Sequence, residues 1–146
     1  MSNHQEARLL VHLLREGRDY YTFARDEVHD AEISRLFARA EMARRGLLDA
    51  LVNSRLLYQA SATLPVEALG TNTGYAHLQA QFDPYHSELQ APALLDREQR
   101  VLALIRHVFE VDDCEQLRTV LKAHYSSFAA CAASLHVLAQ RQLAAA

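Results

Sequence analysis

The chain has 146 residues, half of them hydrophobic and 23% charged, with a formal net charge of -3. This balance predicts one soluble globular domain over residues 1–146 and excludes a disordered chain. The sequence also lacks the clustered basic residues that are typical of nucleic-acid-binding proteins. The sequence opens without a signal-peptide pattern, has no apolar segment long enough to cross a membrane, and contains only two cysteines. We therefore expect a cytoplasmic protein without a membrane partner.

The first half of the sequence predicts two helices, over about residues 5–28 and 31–58, from apolar residues that recur at helical spacing. Gly17 lies inside the first helix, where it costs about 1 kcal/mol relative to alanine or lets a neighbouring helix approach closely. Asp30 stands in the short link and is a typical N-cap residue. Because the link is short, we expect the two helices to be antiparallel neighbours.

The second half predicts two more helices, over about residues 93–110 and 113–142, again joined by a short link. Between the two pairs lies a crossover of about residues 59–92, punctuated by proline and glycine, with a short helix at about residues 75–82. Two short turns and one long connection predict an all-α fold: a ferritin-like four-helix bundle of two antiparallel hairpins joined by a long crossover.

Three glutamates lie within hydrophobic helical stripes, and they are the main candidates for chemistry: Glu16, Glu41 and Glu98. Di-iron bundles use one Glu from each of two helices and a Glu-x-x-His pair from each of the other two, a ligand set that suits iron or manganese. The histidines of such a site are incomplete here. Arg44 occupies the position three residues after Glu41 where a histidine is expected, and His124 is the only histidine at a position along its helix that could match Glu98. We interpret these three glutamates and His124 as candidate metal ligands of a degenerate site. Each Glu could instead reach water from a stripe edge, and His124 could be an ordinary core histidine.

Arg44 lies in the same stripe as Glu41, and it has two alternative interpretations. Buried carboxylates must protonate or find a cation, and a guanidinium supplies a permanent charge with five donors. Arg44 would then provide the charge compensation that metal ions provide in a working site. The alternative is that Arg44 extends outward from the edge of the stripe into water.

The first predicted hairpin, LLVHLLREGRDYYTFARDEVHDAEISRLFARAEMARRGLLDAL, resembles a known family. It is similar to the PA2169-like four-helix-bundle family, a domain of unknown function (DUF2383) in the ferritin-like group. The second hairpin resembles the family more weakly, through residues such as Glu98, Leu117, Arg118, Val120 and Tyr125, and the crossover diverges. The resemblance implies a ferritin-like bundle without an established activity.

These observations predict a binding or scaffolding protein rather than an enzyme, with no cofactor. One alternative is a small iron or manganese protein with oxidase or peroxide-handling activity, and another is a bundle that binds a small apolar ligand between its helices. We also predict a homodimer, because apolar residues at the helix ends and in the crossover exceed what one small bundle readily covers. These residues are Leu56, Leu57, Tyr58, Tyr75 and Phe82.

Overall fold

The computed structural model describes residues 3–53 and 74–145, and this part of the chain is helical without any β-strand. Five α-helices follow one another in these residues, together with one turn of 3-10 helix. They are α1 (Asn3–Glu27), α2 (Ala31–Asn53), α3 (Tyr75–Ala80), the 3-10 turn (Ser87–Gln90), α4 (Ala91–Val111) and α5 (Glu115–Ala145). The all-α prediction is confirmed, whereas the predicted helix over residues 54–58 and the crossover over 59–73 lie outside the described residues.

The predicted turns have the expected local chemistry. Asp30 Oδ1 accepts hydrogen bonds from the backbone N–H groups of Glu32 at 2.8 Å and Ile33 at 3.1 Å. These contacts satisfy two of the backbone donors that the first turn of a helix leaves unpaired, so Asp30 caps α2 as predicted. Helix α4 begins two residues earlier than predicted, because Pro92 stands in its first turn, where a missing N–H costs nothing.

The four long helices pack in a ring in which each packs most closely against two others. Helix α1 packs against α2, α2 against α5, α5 against α4, and α4 against α1. Helices α2 and α4 therefore lie on a diagonal, with the bundle interior between them. The short helix α3 packs on α1, and the 3-10 turn packs on α4 and α5.

The core is mostly aliphatic and aromatic, contributed by all four long helices and by α3. Its largest fully buried apolar side chains are Tyr20, Tyr21, Phe37, Phe128, Leu10, Leu14, Leu47, Leu51, Leu94, Ile105 and Leu121. The largest fully buried side chain of any kind is the guanidinium-bearing Arg44. None of the helices in residues 3–53 and 74–145 is both long and apolar enough to cross a membrane.

Candidate functional site

A charged pair occupies the interior between the diagonal helices α2 and α4. Arg44 Nη1 lies 2.6 Å from Glu98 Oε1, and both side chains are 0% exposed. Arg44 projects inward from α2 and Glu98 from α4, so the pair joins the two hairpins across the bundle centre. We call Arg44 and Glu98 the interior pair. Of the two interpretations of Arg44 open from the sequence, the outward one is therefore wrong.

Two tyrosines form hydrogen bonds with the interior pair, whereas Glu98 Oε2 and Arg44 Nε have no hydrogen-bond partner among the described residues. Tyr21 Oη donates to Glu98 Oε1 at 3.0 Å, and Arg44 Nη2 donates to Tyr75 Oη at 3.0 Å. The Arg44 guanidinium also lies over the ring of Tyr21, 4.8 Å from its centroid, and 5.7 Å from the centroid of Phe128. The charge is thus surrounded by aromatic rings that offer both hydroxyls and π-electron density.

The electrostatic environment of the interior pair and its two tyrosines favours a charged arginine and neutral tyrosines. Burial opposes the charge on Arg44, but the carboxylate of Glu98, with Tyr75 and Tyr21, raises the pKa of the guanidinium above its ordinary value. Burial first, and then the negative charge of Glu98, raises the pKa of Tyr21 well above its usual value of 10.0. Burial likewise raises the pKa of Tyr75. The tyrosines therefore remain hydrogen-bond donors rather than becoming bases.

A glycine on α1 makes the position of Arg44 possible. A Cβ atom built on Gly17 would collide with Arg44 Nε and stand 2.9 Å from Cζ. The missing side chain of Gly17 therefore leaves space on α1 for the Arg44 guanidinium. This explains why a glycine occupies a helix interior, where it is about 1 kcal/mol less stabilising than alanine. Gly17 was expected to let a neighbouring helix approach closely, but the group that occupies the space beside it is the Arg44 side chain.

The crossover fixes one end of this polar interior. Tyr20 Oη donates to Gln90 Oε1, and Gln90 Nε2 donates to the backbone carbonyl of Leu78 at 2.7 Å. The ring of Tyr20 also contacts that of Tyr75, with centroids 5.9 Å apart. Residues 75–90 are thus held against α1 by aromatic and amide contacts, and these contacts orient the Tyr75 hydroxyl toward Arg44.

The other predicted ligands go elsewhere. Glu41 is 1% exposed and pairs with Arg45, one turn further along α2, and with Arg25 of α1 at 3.6 Å. We call Glu41, Arg25 and Arg45 the edge cluster, because both arginines are partly open to solvent. Glu16 is half-buried, and His124 lines a surface cleft between α2 and α5.

The four candidate ligands are therefore not brought to one point. In residues 3–53 and 74–145, no group of three or more histidine, cysteine, aspartate or glutamate side chains is placed to hold a metal ion. The positions of the glutamates in the hydrophobic stripes do not determine the direction in which their side chains point. The arginines redirect Glu41 and Glu98 to separate partners.

Sequence reasoning missed Tyr21 and Tyr75 as parts of the site. Tyr75 was expected to contribute to surplus apolar surface, but its side chain is 3% exposed and lies against Arg44. The adjacent pair Tyr20 and Tyr21 was the available signal, because two consecutive fully buried tyrosines need hydrogen-bond partners on different neighbours. Partners for Tyr20 lie in the crossover, whose path the periodicity of the helices does not specify.

Comparison of the chain with protein-family models, with curated proteins and with solved structures gave no match.

Proposed function

We propose that this protein is a metal-independent binding or scaffolding bundle of the ferritin-like type, related to the DUF2383 family. Support for the architecture comes from two short interhelical links, one long connection and the ring order of the four long helices. Ferritin-like bundles share such a single long crossover. The sequence similarity of the first hairpin, described above, supports the family assignment.

The interior pair is the observation that supports a function without a bound metal ion. Arg44 Nη1 lies 2.6 Å from Glu98 Oε1, so the most deeply buried candidate ligand already has a cation at its oxygen. A metal ion at Glu98 would have to displace a permanent positive charge, since arginine does not lose its proton in proteins. The guanidinium thus supplies the compensation that a metal would otherwise supply.

Metal analysis tests this proposal directly. Protein purified without a histidine tag, incubated with Fe(II) or Mn(II) and then desalted, should retain less than one ion per chain. Arg44→Met should be analysed in parallel, because it removes the competing cation. Stoichiometric metal in the parent protein, lost on substitution of Glu16, Glu41 or Glu98, would instead establish the iron or manganese alternative.

We further propose that the protein is a homodimer. Three of the residues behind this prediction, Leu56, Leu57 and Tyr58, lie outside the described residues. Phe82 is half-buried against Phe23, with ring centroids 5.4 Å apart, whereas Tyr75 is buried and does not contribute to an interface. Light scattering at micromolar concentration gives the mass, and a monomer there would reject the dimer.

A further inference from the structure

A surface cavity that is mostly apolar and open to solvent lies between α4 and α5, close to the turn that joins them. Its volume is about 360 Å³, which falls within the range of small-molecule sites. The apolar part of its lining is formed by Ile105 and Phe109 of α4 and by Leu121 of α5. Ile105 and Leu121 belong to the core, so the cavity floor is rigidly held.

Charged side chains line the same cavity from both helices. Arg106 comes from α4 and Lys122 from α5, while Glu110 is the one carboxylate in the lining. Two cations against one anion leave a net charge of one positive. Within the part of the chain that the structure describes, Glu110 forms no ion pair with either cation. The positive charge is therefore available to a ligand.

A hydroxyl group lies beside these charges. Arg106 Nη1 donates to Tyr125 Oη at 2.7 Å, across the seam from α4 to α5. Since that hydroxyl accepts from Arg106, its own proton is free to be donated to another acceptor. The lining thus combines an apolar floor, two cations and an oriented O–H donor.

We propose that this cavity binds a small amphiphilic carboxylate, with an apolar ring or short chain on Ile105, Phe109 and Leu121. The carboxylate lies between Arg106 and Lys122, where charge-assisted hydrogen bonds are stronger than neutral ones. This inference names the ligand class of the proposed binding role, on which it rests. It uses a part of the bundle separate from the interior pair.

The sequence offers a specific reporter for the test, because Lys122 is the only lysine among the 15 basic residues. Reductive methylation with ¹³C-formaldehyde therefore labels one side-chain amine and the chain's α-amino group, and it keeps the lysine charge. Titration with naphthalene-2-carboxylate should shift the Lys122 dimethylamine NMR signal saturably. The neutral naphthalene-2-carboxamide should bind about tenfold or more weakly, because it lacks the charge-assisted contacts.

Matched variants locate the charge that binds the ligand. Calorimetry should show about tenfold or weaker binding of naphthalene-2-carboxylate to Lys122→Gln and to Arg106→Gln. Arg100→Gln is the control, since this exposed α4 arginine pairs with Asp96 and is not in the cavity lining. Equal unfolding midpoints for all three variants would exclude a folding effect.

Three results would overturn the inference: an unsaturable NMR shift, equal binding of the amide, or parental affinity in Lys122→Gln. Each is separable from the metal question. Carboxylate binding by a protein that also holds stoichiometric metal would reject the metal-independent role and keep the cavity. A metal-free protein that binds no carboxylate would reject the cavity alone.

Discussion

The interior pair and the edge cluster contain carboxylates of equal burial but cations of very different exposure. Glu98 and Glu41 are 0% and 1% exposed. The partner of Glu98, Arg44, is 0% exposed, whereas the partners of Glu41 are 32% and 58% exposed. Glu41 has two partly exposed arginine partners, so losing one of them leaves the carboxylate paired with the other. In the interior, a lost partner strands the other charge.

The largest effect predicted from this comparison is that of Arg44→Met. Removing one member of a buried ion pair costs about 3–5 kcal/mol, because the remaining charge has no solvent. Urea unfolding should therefore show a loss of this size. The double variant Arg44→Met with Glu98→Gln should recover much of it, since no unpaired charge remains. An unchanged urea midpoint in Arg44→Met would show that the interior pair contributes no more to stability than the edge cluster.

Gly17 of α1 and Gly46 of α2 give a test in which the two substitutions have opposite expected effects. Gly17→Ala inserts a methyl group into the space of Arg44 and should destabilise by about 1–3 kcal/mol, the typical cost of overpacking. Gly46→Ala is the control, because its Cβ would stand 3.5 Å from His124 Cε1, an ordinary contact. That variant should gain up to about 1 kcal/mol from helix propensity. Equal changes in the thermal unfolding midpoint of both variants would count against a close contact between Gly17 and Arg44.

Alkaline pH should weaken the interior through its tyrosines. In the unfolded chain Tyr21 loses its proton near the ordinary pKa of about 10, whereas burial raises its pKa in the folded protein. The folded state then binds more protons, so stability is complete below pH 10 and falls above it. Each such tyrosine contributes a slope of up to about 1.4 kcal/mol per pH unit. Urea midpoints from pH 8 to 11 should fall less steeply for Tyr21→Phe, and a parental slope would refute the assignment.

The smallest predicted effect belongs to the edge cluster. Arg45→Met removes a cation that is 58% exposed, and Glu41 keeps Arg25 at 3.6 Å. Because Arg45 is mostly exposed and Glu41 keeps a second cation, urea unfolding should show a loss closer to the ~0–1 kcal/mol of an exposed pair than to that of Arg44→Met. Since Arg44 and Arg45 are consecutive, the two methionine variants form a matched set. A loss of stability as large as that of Arg44→Met would show that the edge cluster behaves energetically like the interior pair.

Sequence patterns were sufficient for the helices in the described residues, and helical periodicity placed Arg44, Glu41 and Glu98 in hydrophobic stripes without deciding whether they point inward. The Asp30 cap and the close approach at Gly17 were likewise local inferences. The partner of Arg44 was not predictable, since Glu16, Glu41 and Glu98 share similar stripes and only packing of the two hairpins selects Glu98. The role of Tyr75 was missed for the same reason. Its hydroxyl reaches Arg44 only through the course of the crossover.

The position of the interior pair on separate hairpins has a consequence for the order of folding. Arg44 belongs to the α1–α2 hairpin and Glu98 to the α4–α5 hairpin, so neither hairpin alone neutralises its own charge. Each charge remains hydrated until the hairpins dock, and both must lose water as the interface closes. Desolvation that precedes pairing raises a barrier, and contacts completed after the barrier mainly slow unfolding. We therefore expect the pair to form late in folding, so that it affects the rate of unfolding more than the rate of folding.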